Sequence, residues 1–241
     1  MFFHANIEIL TWESDFFNRK TAKLNFLPNA PTISLSQLDE YDIIKAKVTT
    51  GNTKLIDAMT TIGFFLIEGE IDFCLNVAGR VKNKSLELSV ADEKDIEELK
   101  SIAATAFLHS RFRSPWYRLE DNIRFYSFWI EKAVKGTFDD ICLLLKGVQG
   151  DIHGFVTIKK LSSKKEARIG LLATAAPYQR KGIGKQLITI SRQWSEQKGV
   201  DRLRIATQIS NISAIRLYSK MGAQIERTDY WLYRGRHDPI Q

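Results

Sequence analysis

Gln179-Arg180-Lys181-Gly182-Ile183-Gly184 lies between an apolar run, Ala167 to Ala173, and an amphipathic stretch, Gly182 to Gln197. The run reads as a strand and the stretch as a helix, so the hexapeptide is a strand-to-helix turn. Glycines at such a turn let backbone N–H groups approach an anion, and the helix dipole favours negative charge there. Arg180, Lys181 and Lys185 add positive charge. A pyrophosphate is the natural guest. Two other phosphate loops are excluded: no Gly-Lys-Ser/Thr follows at the P-loop spacing, and a dinucleotide fingerprint would need a third glycine and a later acidic residue. The same glycines also suit a turn that only packs tightly, so the hexapeptide alone leaves both readings open.

Downstream, Leu203 to Thr207 reads as a strand, Ile212 to Met221 as a helix and Gln224 to Tyr233 as a last strand. Upstream, Leu86 to Val90 is strand-like. A helix is expected from Asp92, which with Glu93 and Asp95 suits its positive end. A second helix covers Asp121 to Val134, and Gly147-Val148-Gln149-Gly150-Asp151 joins two strands as a hairpin turn. Before these, Ile7 to Leu10, Ala22 to Leu27, Ile43 to Val48 and Phe64 to Leu75 have strand patterns. Thr53 to Ile62 has helical spacing with Gly63 as a stop. The polar stretch Ala78 to Lys84 reads as a linker. The expectation is an α+β chain: a small domain over 1–78 and a larger one over 84–241. Shifting residues 46–73 by 159 lays Asn52 on Asn211, Ile56 on Ile215 and Gly63 on Gly222. We read this as a degenerate half-copy of the C-terminal unit, with Met59 where the other copy has Tyr218.

Composition narrows the function. The 241 residues carry a net charge of +7 and are 44% hydrophobic, as in a folded globular protein. Residues 1–80 hold 7 basic and 10 acidic side chains, and the remainder 28 and 18, so an anionic ligand belongs with the C-terminal part. No basic cluster has a nucleic-acid motif. No apolar run approaches the ~20 residues of a membrane span, and Met1 to Asn6 lacks the pattern of a secretory signal. These features suggest a cytoplasmic protein. Cys74 and Cys142 read as buried thiols. His4, His109, His153 and His237 are scattered, so no metal is expected.

Three further groups attract attention. Glu68, Glu70 and Asp72 share one strand face, where clustered carboxylates would receive an ammonium. Arg111 and Arg113 have the donor forks for a diphosphate, and Trp116 and Tyr117 the rings for a base. The carboxylates also fit a solvated edge face, and the loop residues a surface loop with two core aromatics. His109 adjoins that loop.

The turn at Gln179 to Gly184, followed by Asn211, Ala214, Tyr218 and Gly222 in the pattern Asn-x-x-Ala-x-x-x-Tyr-x-x-x-Gly, resembles the GCN5-related N-acetyltransferases over about residues 86–233. The resemblance implies a mixed, mostly antiparallel sheet flanked by helices, with acetyl-CoA as co-substrate. Backbone groups of Leu172, Ala173 and Thr174 would pair with pantetheine beside a strand bulge, and one N–H would hold the thioester oxygen. Gln179, Arg180, Lys181, Gly182, Ile183, Gly184 and Lys185 would cradle the pyrophosphate. Asn211 would anchor the coenzyme, and Tyr218 would be the general acid.

Ile7 to Glu13, Glu68-Gly69-Glu70, Ser110 to Tyr117, Gly136-Thr137-Phe138-Asp139 and Tyr230 to Tyr233 resemble a narrower group, the dTDP-fucosamine acetyltransferases. This second resemblance implies transfer to the 4-amino group of dTDP-4-amino-4,6-dideoxygalactose in enterobacterial common antigen synthesis. It also implies Glu68 as base through water, and a homodimer. Gly235 to Gln241 has no counterpart in that group. An acetyltransferase for another amine, such as another nucleotide sugar or a peptide N-terminus, and a non-catalytic acyl-CoA-binding module remain the alternatives.

Overall fold

A computed structural model describes residues 4–77, 87–108, 110–162 and 165–235. The linker expected at 78–84 and His109 lie outside them. The strands are β1 Ala5–Ile9, β2 Thr21–Phe26, β3 Ile43–Thr49, β4 Phe65–Asn76, β5 Ser89–Val90, β6 Ile141–Lys146, β7 Ile152–Leu161, β8 Glu166–Thr174, β9 Arg202–Gln208 and β10 Gln224–Gly235. The helices are α1 Thr11–Phe17, α2 Leu35–Leu38, α3 Thr53–Thr61, α4 Ile96–Ala106, α5 Leu119–Val134, α6 Ile183–Gln197 and α7 Ile212–Lys220.

All ten strands join one sheet in the order β1-β2-β3-β10-β4-β9-β8-β7-β6-β5. Only β2–β3 and β8–β9 are parallel, and each needs a crossover: α2 in the first case, α6 in the second. The sheet is therefore mixed and mostly antiparallel, flanked by helices, as the resemblance implied. The helix expected from Asp92 begins at Ile96, because Asp92 caps a 3-10 turn over Glu93–Asp95 instead, its carboxylate accepting from Lys94 N–H at 3.1 Å. α1 was not anticipated. Its 7 residues are too few for a periodicity signal, and Trp12, Phe16 and Phe17 hold it by packing on Phe125 and Phe128 of α5.

The same offset of 159 recurs in the register of the sheet. Adding 159 to a residue number carries β3, α3 and β4 onto β9, α7 and β10. The pair Glu70–Asp229 maps onto itself, Gly69–Tyr230 onto Thr228–Ile71, and Glu68–Trp231 onto Arg227–Asp72. The bulge that passes over Ile67 maps onto the one that passes over Glu226. The β3–β10 pairing, from Thr49–Asp229 to Ile43–Gly235, maps onto the β9–β4 pairing, from Gln208–Glu70 to Arg202–Asn76. Asn52 caps α3 through Leu55 N–H at 3.3 Å, and Asn211 caps α7 through Ala214 N–H at 3.1 Å. Gly63 and Gly222 end them at φ 89° and 85°, a conformation that favours glycine. Each half thus lends its last strand to the other, about a local two-fold at Glu70 and Asp229.

The halves differ where a ligand would sit. Residues 27–42 supply only the four-residue α2, whereas 175–201 supply the 15-residue α6. Met59, with no exposed surface, fills the N-terminal core with Leu38, Phe64 and Val48. Tyr218, its counterpart, faces a cavity.

Candidate active site

β8 and β9 pair only from Glu166–Arg202 to Arg168–Arg204 and then part. The parting coincides with a bulge in β8: Ile158 faces Ile169 and Val156 faces Leu172, so Gly170 and Leu171 together oppose Thr157. Beyond it, Leu171 N–H points at β7, where it donates to Thr157 Oγ1 at 2.8 Å, and Ala175 N–H donates to His153 O at 3.0 Å. By the two-residue period of a strand, Ala173 also turns its backbone to β7, while Leu172 and Thr174 turn theirs to the open cleft. Of the three residues expected to pair with a cofactor, these two present free backbone edges to it.

The strand runs into the turn that begins at Gln179. Arg180 (φ 60°) and Gly182 (φ 82°) are both left-handed, which coils the chain back to start α6 at Ile183. No side chain caps α6, and its first i to i−4 bond is Gln186 N–H to Gly182 O, so the preceding amides remain for an anion. A Cβ at Gly182 would meet nothing within 4 Å, so the approach is open, whereas one at Gly184 would lie 2.9 Å from Leu217 Cδ2. The first glycine leaves the turn open to an approaching group, and the second lets α6 sit against α7. Arg180, Lys181 and Lys185 are exposed around the turn.

A cavity of about 510 Å³ opens between the parted strands. Leu172, Asn211 and Tyr218 line it on one side, and Glu68, Glu70 and Arg111 on the other. The acetyltransferase (GNAT) family profile matches residues 97–223. The dTDP-fucosamine acetyltransferase of Escherichia coli O6:H1 (strain CFT073) is 41% identical over 230 residues, spanning 95% of this chain and 98% of its own. The chain belongs to the GNAT acetyltransferase family. In fold, this acetyltransferase is similar to a conserved protein of unknown function from Staphylococcus epidermidis (TM-score 0.63, 12% identity, 97% of this chain and 91% of that one). It is also similar to an N-acetyltransferase of Thermoplasma acidophilum solved in complex with coenzyme A (TM-score 0.51, 21% identity, 64% and 100%).

Tyr218 of the acetyltransferase is only 6% exposed and stands edge-on to Phe73, with ring centres 5.7 Å apart. Burial pushes its phenol up to about 12, so it keeps its proton at neutral pH. Glu68 is half-buried, and desolvation raises its carboxyl above the usual range despite the opposing charges of Arg113 and Arg111. It makes no ion pair among the described residues. Glu70 and Asp72 differ from it. Lys47 Nζ reaches Glu70 at 2.5 Å, Asp72 at 3.1 Å and Asp229 at 3.3 Å, Arg227 joins Asp72 and Asp229, and Trp231 Nε1–H donates to Glu70 at 2.9 Å. Burial alone would raise Glu70, but Lys47 and Trp231 outweigh it and hold its carboxyl low. Of the three carboxylates, Glu68 is the one suited to accept a proton.

The aromatic loop is divided. The Arg111 guanidinium lies 4.5 Å over the Trp231 ring and has no carboxylate partner among the described residues. Arg113 does not line the cavity; it donates to Ile67 O at 3.1 Å and ties the loop to β4. Trp116 and Tyr117, 3% and 1% exposed, pack among Tyr233, Phe17 and Phe112. Their rings are core side chains rather than a stacking platform. Sequence reading missed Arg168, Arg204 and Trp129, which line the cavity from β8, β9 and α5. None belongs to a local motif, and the alternation of Arg168 and Arg204 with apolar neighbours reads as an ordinary strand.

Among the described residues no group of His, Cys, Asp and Glu could hold a metal, and no helix is long and apolar enough to cross a membrane.

Proposed function

We propose that this acetyltransferase moves the acetyl group of acetyl-CoA to the 4-amino group of dTDP-4-amino-4,6-dideoxy-D-galactose, in a ternary complex, for cell-surface polysaccharide such as enterobacterial common antigen. The observation that carries the reading is the cavity that joins the free edge of β8, Tyr218, Glu68 and Arg111, which has no carboxylate partner among the described residues. The near full-length relative named for this sugar supplies the acceptor.

Glu68, through water, takes a proton from the sugar ammonium. The freed amine attacks the thioester carbon, forming the C–N bond, and Leu172 N–H holds the developing oxyanion. The nitrogen of the intermediate then loses its second proton to water, the C–S bond breaks, and Tyr218 gives its proton to the thiolate and is reprotonated from solvent. Arg180, Lys181, Lys185 and the amides at Gly182 to Gly184 hold the pyrophosphate, Asn211 positions the coenzyme, and Arg111 meets the sugar diphosphate. The enzyme works in the cytoplasm, where acetyl-CoA is supplied, as a homodimer.

Incubation with acetyl-CoA and the dTDP-amino sugar, read by thiol release, tests this. Turnover on the sugar well above that on a peptide N-terminus or a different nucleotide amino sugar is expected. Turnover confined to one of those other amines would reassign the acceptor, and none on any amine would make the chain a binding module.

A further inference from the structure

Asp139 is a buried carboxylate that the reaction as described leaves without a task. It ends Gly136-Thr137-Phe138-Asp139, between α5 and β6, has no exposed surface, and sits directly behind the β8 bulge. Its Oδ2 accepts from Trp129 Nε1–H at 2.8 Å and from Thr157 Oγ1–H at 2.7 Å, and its Oδ1 accepts from Arg168 Nη2–H at 3.1 Å. Thr157 Oγ1 in turn accepts Leu171 N–H at 2.8 Å.

The chemistry of a hydroxyl makes this chain directional. Thr157 has one proton and two lone pairs, and both oxygens of Asp139 already accept from the donor-only Trp129 and Arg168. Asp139 therefore commits the proton, and a lone pair is left facing Leu171. At a bulge the ladder carbonyl that would meet that amide is displaced, so the threonine side chain replaces it. Gly170 completes the arrangement. Any Cβ there would collide with Asp139 Oδ2 and come within 2.7 Å of Thr157 Oγ1. The peptide plane after Leu171 carries the Leu172 N–H, so fixing Leu171 aims its neighbour into the cleft.

We propose that Asp139, acting through Thr157, is a positioning residue that sets the direction of the Leu172 N–H toward the thioester oxygen. The inference rests on the acetyl-transfer reading, since only there does that N–H meet an oxyanion. It also gives the 136–139 stretch a role beyond joining two elements.

The test compares wild type with Thr157→Val, Thr157→Ser and Asp139→Asn. Steady-state kinetics separate kcat from KM, and hydrogen exchange at the Leu171 amide, with coenzyme A present and no acceptor, reads the bond itself. Thr157→Val and Asp139→Asn should lower kcat about tenfold to hundredfold, as expected for a misdirected oxyanion donor, with KM for acetyl-CoA nearly unchanged. Their Leu171 exchange should be at least about tenfold faster, and Thr157→Ser should match wild type in both respects. Wild-type kcat and exchange in folded Thr157→Val would overturn the proposal. Should Thr157→Val not fold, Asp139→Asn decides it by the same two readouts. Should wild type not acetylate the sugar, the functional reading fails, and Leu171 exchange still decides whether this chain of bonds holds the bulge.

Discussion

Tyr218→Phe removes one oxygen from a helix residue that is 6% exposed and packs edge-on against Phe73. The ring contacts survive, and burial alone raises the phenol, so the hydroxyl costs desolvation without a charged partner to recover it. Stability should therefore change by no more than about 1 kcal/mol in either direction. Catalysis should respond differently. With its pKa near 12, the phenol is ionised in only about one molecule in ten thousand at pH 8, so the acid is loaded in essentially every turnover. Losing a positioned general acid costs about 10²- to 10⁴-fold. We expect kcat to fall by at least about 10²-fold, with KM for acetyl-CoA within about a factor of three, because the proposed coenzyme contacts are at the Gly182 turn and Asn211. The assay is thiol release under saturating acceptor, with thermal unfolding of the same samples. A folded variant that turns over at the wild-type rate would refute the role of Tyr218, and a loss confined to KM would make it a binding residue.

Glu68→Gln should lower kcat, and the wild-type rate should fall as pH drops through the raised pKa of Glu68, since the base must be unprotonated; a pH-independent effect equal to that of Glu70→Gln would count against it. The sign for stability is opposite. A carboxyl raised by burial binds its proton more tightly in the folded state, so it costs stability as pH rises, and Glu68→Gln should melt no lower than wild type at pH 7. Trp116→Ala should cost about 3–5 kcal/mol in denaturant unfolding while leaving KM for the nucleotide sugar nearly unchanged in the folded fraction. Arg111→Ala should do the reverse, raising that KM at least about tenfold; equal effects from the two would undo the division between core ring and cavity cation.

The parts of the molecule legible in its sequence are those written in local chemistry. Gly182 must be left-handed to start α6, and Asn52 and Asn211 announce two helix starts three residues ahead of the amides they bind. Even the symmetric pairing of β4 and β10 has a signal in the sequence, because both halves carry the same caps and stops. What escaped depends on distance along the chain. Trp116 and Tyr117 sit in a basic loop that looks solvent-facing, and only Phe17 and Tyr233, from opposite ends of the sequence, show that they are interior. Glu68 separates from Glu70 and Asp72 only because Lys47 and Arg227, on other strands, occupy the latter two. Asp139 ends a quoted stretch, yet its bond to Thr157 and, through it, to Leu171 lies on two other strands that local sequence does not connect.

Calorimetric titration of coenzyme A into wild type and Gly182→Val probes the central claim, that parted strands and the mouth of α6 together seat the cofactor. At φ 82° a β-branched residue is strained, so the variant distorts the turn without touching Glu68 or Arg111. Wild type should bind with a dissociation constant of about 1–100 μM, within the usual range for enzyme substrates, and Gly182→Val at least about tenfold more weakly. Equal affinities in the two folded proteins, or no heat from wild type, would contradict the account.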